Sequence, residues 1–402
     1  MNAAFHRYWT ARLVSYAGDQ IARTALLVAV FDRYGGTAVG FLLIAATVPR
    51  LFGPALGALA DRYDQRRIIV VCDLSQAVLY TAIALLSPSL PVLLALVAAA
   101  SVAATTFTPA GRSLLPDLVG RDRLGEANAR LAVGVNTGLA AGPALGGVLL
   151  SVAGLTPTLL LDVLSFLVSA ALVAGLRPLA RRGATTAQPL RAVLRDGLGV
   201  VRTNQVVRAV AFGFLLMVTF AALDNVALVP LVQDGLGAGP VAVGLLTSAY
   251  GVGMVAGPLL IARRADRVRI DLILYASLLA IGTGTILTGL SFAVVAAVAA
   301  QALAGAGAGW HNVAADTLVQ RHVPADRLGT VFGTIYFFPY AAEMLAYVAG
   351  AALLGAVGGR WLLVISGLGV TATLALVLPL LSGALSATRR APGADTPAPA
   401  LV

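Results

Sequence analysis

Four residues with polar or ionisable side chains lie at helical spacing near the start of this 402-residue chain. Arg12, Tyr16, Asp19 and Arg23 follow one another at i, i+4, i+7 and i+11, which places them on one face of a helix. Asp19 is a carboxyl group able to take up a proton, and the guanidinium groups beside it favour its charged form. A static Asp19–Arg23 pair within the helix is the alternative interpretation.

A second stripe with the same spacing lies near the end of the chain and consists of Tyr336, Tyr340, Glu343 and Tyr347. An acidic group flanked by aromatic rings suits a bulky amphipathic or cationic ligand. Both stripes lie in apolar stretches, where a charge is costly and marks a candidate functional site. Three further charges lie in such stretches: Asp224, Arg50 and Asp162, the last interpreted as structural.

Several chemistries are excluded by what the chain lacks. It contains no lysine, which rules out a Walker phosphate loop and a Schiff-base lysine, and its one cysteine, Cys72, rules out an internal disulfide. Three scattered histidines predict no metal site, and we interpret His311 as a packing or cavity-lining residue. We therefore expect no enzyme, no cofactor, no metal and no nucleic-acid partner, despite the net charge of +10.

The composition predicts that helices spanning a membrane position these side chains. Hydrophobic residues make up 59% and charged residues 11% of the chain, and charge-poor stretches recur that can each cross a hydrocarbon core of roughly 30 Å as a helix. We expect an all-α integral membrane protein with about twelve spans. The predicted spans are roughly 10–32, 38–60, 67–87, 90–111, 130–153, 157–176, 207–232, 240–262, 270–290, 292–315, 331–356 and 361–382.

The arginines predict the orientation of these spans. Most of the 28 basic residues fall in alternate connections, and only Arg33 and Arg360 fall in connections on the opposite side. Because positive charge accumulates on the cytoplasmic side, we expect both termini in the cytoplasm.

Internal similarity predicts a duplicated six-helix unit. The tetrapeptide DRLG at 122–125 recurs at 326–329, and Gly-Pro at 53–54 recurs at 257–258. We expect two pseudo-symmetric bundles, 1–176 and 207–382, joined by a cytoplasmic linker at 177–206. Residues 383–402, rich in Pro and Ala, are expected to form a disordered cytoplasmic tail.

The connection after the second predicted helix reads GALADRYDQRR and resembles the loop motif of the major facilitator superfamily. Asp64 stands where that motif has glycine, and Gln65 replaces a basic residue. The resemblance implies a cluster that latches the cytoplasmic gate. The residues assigned to it are Gly57, Asp61, Arg62, Arg66, Arg67 and, as support, Asp73.

The fifth predicted helix carries GLAAGPALGG, which resembles the motif of the antiporter branches of that superfamily. Small residues and a proline allow close packing and bending where this helix meets the other bundle; generic helix packing is the alternative. The gating residues assigned here are Gly138, Gly142, Pro143, Gly146 and Gly147. The fourth helix has no arginine in its membrane core, Arg112 lying at its cytoplasmic end.

The segments 107–129 and 190–208 resemble a bacterial subgroup of major facilitators that contains siderophore and macrolide exporters. The resemblance implies a multi-pass protein of the bacterial plasma membrane, monomeric and in contact with lipid, that exports small amphipathic molecules in exchange for protons. Asp19 or Glu343 would carry the proton. Proton-symport uptake, flipping of a lipid or lysolipid, and a non-transporting receptor or assembly partner remain the alternatives.

Overall fold

The computed structural model describes residues 2–53, 56, 63–176, 190–262, 269–324 and 327–390, and in these ranges the chain is helical without strands. We number the long helices α1 to α12. Their bounds are α1 Ala3–Tyr34, α2 Gly36–Thr47 with a 3₁₀ continuation Val48–Phe52, α3 Gln65–Leu86, α4 Leu90–Val119, α5 Leu124–Ala153, α6 Leu155–Ala174, α7 Gln205–Pro230 with a π-helical continuation Leu231–Gly235, α8 Pro240–Ala262, α9 Ile270–Leu290, α10 Val294–His322, α11 328–357 and α12 359–390.

The described helices account for the twelve predicted spans. Among the described residues, nine segments are long and apolar enough to cross a membrane, and the last of them, Leu328–Ala384, is long enough to cross twice. Gly358, with a φ of 74°, divides that segment into α11 and α12. The segment Gly36–Phe52 is a shorter apolar helix, and α1 carries the polar stripe that lowers its mean hydropathy.

Several helices extend beyond the predicted spans. The fourth helix continues past 111 to Val119, because Leu114 and Leu118 are buried in a cluster with Phe5 at the start of α1. The linker contains a helix, Leu190–Thr203, which we call the linker helix. The predicted disordered tail is helical as far as Arg390, and residues 391–402 and 177–189 lie outside the described residues.

The two halves of the chain use the same capping arrangement. The Asn2 side chain accepts a hydrogen bond from the Phe5 amide and donates one to the Leu118 carbonyl at the end of α4, at 2.7 Å. The Asn204 side chain likewise caps α7 and donates to the His322 carbonyl at the end of α10, at 3.0 Å. These corresponding contacts are expected of a duplicated six-helix unit.

The helices form two six-helix bundles, α1–α6 and α7–α12, that meet along α5 with α8 and along α2 with α11. We call the end that carries Asn2 and the linker helix the linker end, and the opposite end the far end. At the far end, two apolar clusters each contain residues of both bundles. At the linker end, each bundle has a separate cluster. The bundles are therefore joined at the far end, and the cleft between them opens at the linker end.

Candidate functional site

The α1 stripe lies on a helix that packs mainly against α5 and α6 of its own bundle. Arg23 is exposed and Arg12 half-buried, with its guanidinium carbon 4.5 Å from the centre of the Phe107 ring. Tyr16 packs against Gly138 of α5. No ion pair within 4.0 Å joins Asp19 to Arg23 in the described part of the chain, so the static pair expected as an alternative is not formed.

Asp19 instead lies among other carboxyl groups. It interacts electrostatically with Asp162 of α6 and Asp73 of α3, and with Arg12. Asp162 and Asp73 are both 0% exposed. The sequence pattern separated these residues, because it treated Asp162 as structural and assigned Asp73 to the gate.

Serines on α6 hold the two buried carboxylates. The Ser165 hydroxyl donates to Asp162 Oδ1 at 3.0 Å, and the Ser169 hydroxyl donates to Asp73 Oδ2 at 2.7 Å. The second oxygen of each carboxylate is buried and has no hydrogen-bond partner. Neither serine was predicted from the sequence, although their spacing to Asp162 at i+3 and i+7 places them on the same face of α6.

The C-terminal bundle contributes a second acidic group to the cleft. The Tyr347 hydroxyl donates to Glu343 Oε1 and accepts a hydrogen bond from Asn225 of α7 at 3.4 Å. Tyr347 interacts electrostatically with Arg23 and Arg50 of the other bundle, both exposed. The structure therefore brings Glu343 and Tyr347 of α11 together with Arg23 and Arg50 of the other bundle. Asn225 joins them and was not predicted from the sequence.

The remaining residues predicted to bind substrate or protons lie on the C-terminal bundle. Closer to the linker end, the Tyr336 hydroxyl donates to Asp316 Oδ1 of α10 at 3.1 Å, and Tyr340 is 36% exposed. Asp224 is half-buried and accepts a hydrogen bond from Gln301 at 3.2 Å. Asp224 thus has a partner within its own bundle, and Asp316 is an acidic residue that the sequence analysis did not assign.

The glycines of α5 are places of close helix approach. A Cβ added at Gly146 would lie 2.6 Å from the Ile21 carbonyl oxygen of α1, and one at Gly142 would lie 2.5 Å from Gln20 Cβ. Gly147 faces the other bundle, where an added Cβ would lie 2.4 Å from the carbonyl oxygen of Pro240. Only a residue without a side chain fits such contacts.

A polar contact between the bundles lies next to the proline of the same motif. Pro143 carries no backbone N–H and interrupts the helical hydrogen-bond ladder. The next amide, Ala144, donates to the Ser248 hydroxyl of α8 at 2.9 Å. Gly244 of α8 packs against the Pro143 carbonyl, where a Cβ would lie 2.3 Å away. The α5–α8 contact therefore combines glycine packing on both sides with one hydrogen bond.

The loop motif after α2 is described in part. Gly57, Asp61 and Arg62 lie outside the described residues. Arg66 donates through its side chain to the Ala174 carbonyl at the end of α6. Asp64, the departure from the superfamily pattern, caps α3 by accepting from the Arg66 amide at 3.0 Å and lies 3.9 Å from the Arg67 guanidinium.

His311 is a buried packing residue, 2% exposed, stacked on Phe214 with ring centres 5.7 Å apart. Its Nδ1 lies 3.3 Å from the Ser277 hydroxyl. In the described part of the chain, no group of three or more His, Cys, Asp and Glu side chains is placed to hold a metal ion.

Two repeated helical bundles around a cleft with intramembrane charges are typical of membrane transporters. The chain matches the family described as transmembrane secretion effector over residues 1–399. Macrolide efflux protein A of Streptococcus pyogenes is 24% identical over 397 residues, covering 94% of this chain and 96% of that protein. The uncharacterized MFS-type transporter YfiS of Bacillus subtilis is 25% identical over 356 residues, covering 85% of each chain.

Among solved structures, a point mutant of the nucleoside transporter NupG superposes with a TM-score of 0.78 at 12% identity, covering 94% of this chain and 99% of that one. At this identity the likeness shows the fold. The chain belongs to the transmembrane secretion effector family of the major facilitator superfamily. It is a multi-pass membrane transporter and not an enzyme, as the sequence predicted.

Proposed function

We propose that the chain exports small amphipathic molecules from the bacterial cytoplasm in exchange for protons, by alternating access. The observation that carries the proposal is the two-sided lining of the cleft. Arg23 and Arg50 of one bundle lie opposite the hydrogen-bonded Glu343, Tyr347 and Asn225 of the other. Because opposite charges line opposite walls, a ligand bound between them makes different contacts when the bundles move.

The side chains that line the cleft indicate which kind of substrate it can bind. Tyr336 and Tyr340 of α11 offer rings and hydroxyls toward the linker end, and the exposed Arg112 of the other bundle interacts electrostatically with Tyr336. Rings beside an acidic group suit an amphipathic molecule, including a cationic one. The relative named macrolide efflux protein A supports export of a bulky molecule of this kind.

The moving units are the two bundles, 1–176 and 207–382, with both termini in the cytoplasm. The cleft then opens to the cytoplasm, where an exporter takes up its substrate. The glycine contacts between α5 and α8 close the far end in this state. In the opposite state these contacts separate and the loop motif after α2 joins the linker end. One chain encloses the whole cleft, so a monomer suffices.

Transport by inverted membrane vesicles tests the proposal. Vesicles containing the wild type should accumulate fluorophore-labelled macrolide when an inward-acid proton gradient is imposed, and should release it when the gradient is collapsed. Asp19→Asn and Glu343→Gln should each reduce this accumulation. Glu126→Gln, which changes an exposed carboxylate paired with Arg130, is the matched control and should retain it.

The outcomes separate the alternatives. Accumulation that needs no gradient, or that survives both substitutions, would contradict proton exchange through these groups. Movement in the opposite direction would indicate uptake by symport. Movement of a fluorescent lysolipid, but of no soluble probe, would indicate lipid flipping.

A further inference from the structure

Two carboxylates of the N-terminal bundle are fully buried and have no basic side chain of the described residues in ion-pair contact. Asp162 and Asp73 are each 0% exposed, and neither forms an ion pair within 4.0 Å with any described residue. Asp162 Oδ2 and Asp73 Oδ1 are buried without a hydrogen-bond partner. Placing an ionised carboxylate in such surroundings is expensive, and a bound proton removes that cost.

The packing of α1 brings Asp19 to this site. A Cβ on Gly18 would lie 2.4 Å from Asp162 Oδ1, so only glycine lets the α1 backbone pass this close to the carboxyl group. Asp19 is the next residue, and it interacts electrostatically with Asp162. Neighbouring buried carboxyl groups do not both ionise readily, and such groups titrate together rather than independently.

The charged and titratable groups around this pair come from α1 and α3, and none of the described basic groups forms an ion pair within 4.0 Å with Asp19 or Asp162. α1 and α3 are the helices packed most extensively against α6. From α1, Arg12 interacts with Asp19 and Asp73, and Arg23 interacts with Tyr80. From α3, Tyr80 interacts with both members of the pair.

A line of polar groups leads from the pair toward the linker end. Ser165 donates to Asp162, and Ser169, one helical turn further along α6, donates to Asp73 at 2.7 Å. Asp73 lies two turns into α3, whose first residue, Gln65, is at the linker end. Hydroxyl and carboxyl groups both accept and donate protons, and these groups lie between the pair and the side on which the cleft opens.

We propose that Asp162 and Asp19 share the exchanged proton, and that Ser165, Ser169 and Asp73 connect this pair to the linker end inside the N-terminal bundle, apart from the substrate groups around Glu343. The inference rests on the proposed proton exchange. A proton enters by forming an O–H bond on one carboxyl of the pair and leaves when that bond breaks. Asp162 is thereby assigned to proton binding, whereas the sequence pattern indicated a structural role.

Infrared spectroscopy of the purified full-length protein tests proton sharing without a substrate. The difference spectrum between acidic and alkaline buffer should contain the carbonyl band of a protonated carboxylic acid. Asp162→Asn and Asp19→Asn should each remove the same band, and Glu126→Gln should leave it. A band that persists in both substitutions would overturn the proposal.

Ser165→Ala provides a second variant that does not alter a carboxyl group. It removes the hydrogen bond to Asp162 Oδ1 and should shift the frequency of the shared band. If Asp162→Asn fails to fold, as judged by gel filtration, this shift decides the question, and an unshifted band would contradict the proposed pair.

Transport separates this proposal from the proposed function. Vesicles with Asp162→Asn should lose gradient-driven accumulation of labelled macrolide while retaining exchange of labelled for unlabelled macrolide without a gradient. Retained accumulation would refute a role in proton coupling. Absence of accumulation by the wild type would instead refute the proposed export, and the infrared result would still show whether the pair binds a proton.

Discussion

Adding one methyl group at Gly147 should shift the balance between the two transport states. A Cβ at this position would lie 2.4 Å from the Pro240 carbonyl oxygen, whereas ordinary contact begins at 3.4 Å. Because the obstructing atom belongs to the backbone, α5 and α8 must separate by about 1 Å, the difference between these distances. Overpacking of this kind costs about 1–3 kcal/mol.

This overpacking destabilises only the state that is open at the linker end. The α5–α8 contact at Gly147 belongs to the arrangement in which the far end is closed, and in the proposed opposite state this contact separates. Gly147→Ala should therefore lower the ratio of the linker-open to the linker-closed state by about 5- to 150-fold, which corresponds to 1–3 kcal/mol.

Distances between spin labels can measure this shift. Asp122→Cys and Arg327→Cys place labels at exposed positions before α5 and α11, one on each bundle, in a Cys72→Ser background that removes the native thiol. The wild type should show mainly the long distance of a cleft open at the linker end. Gly147→Ala should transfer population to a shorter distance.

Gly355→Ala is the matched control. It adds the same methyl group on α11, where no heavy atom lies within 4 Å of the new Cβ. It should leave the label distances unchanged and stabilise the helix by about 0.5–1 kcal/mol. An unchanged distribution in Gly147→Ala, or a shift toward the longer distance, would refute the reasoning.

Three further substitutions test individual contacts. Asp64→Ala removes the cap of α3 and should lower the stability in detergent by about 0.5–2 kcal/mol, measured by thermal unfolding; Asp64→Asn should retain most of it, and equal losses would argue against capping. Arg360→Ala removes hydrogen bonds to the Gly289 and Ser291 carbonyls and should cost about 1.5–3 kcal/mol in the same assay, with an unaltered melting curve contradicting the bond. Tyr347→Phe leaves Glu343 without its donor and should weaken fluorescence-detected macrolide binding about tenfold, assuming a loss near 1.4 kcal/mol; unchanged affinity would place the substrate elsewhere.

Much of the fold could be predicted because it depends on local properties of the chain. Each span requires a long apolar stretch, and the breaks between spans are marked by glycine, proline and charge. The linker helix was missed because the stretch at 177–206 reads as charged and rich in helix breakers, whereas Gly197 allows close contact of this helix with Thr334 of α11. The extension of α4 depends equally on a distant partner, Phe5.

The candidate site could be predicted only one helix at a time. Helical spacing identified the α1 and α11 stripes, because residues on one face need no knowledge of neighbouring helices. It could not show that Asp19 would lie near Asp162 rather than pair with Arg23. That outcome depends on Gly18, which removes the side chain that would hold α1 away from α6.

The sequence by itself determined the class of protein, the number of spans, the duplication and the polar faces, since these follow from hydrophobicity, periodicity and repeated motifs within the chain. The tertiary structure decided which polar faces meet. It placed Asp19, Asp73 and Asp162 inside one bundle, and Glu343 with Tyr347 opposite Arg23 and Arg50. The physical reason is that glycine contacts and helix packing set the distances between helices, and the interactions of a buried charge depend on those distances.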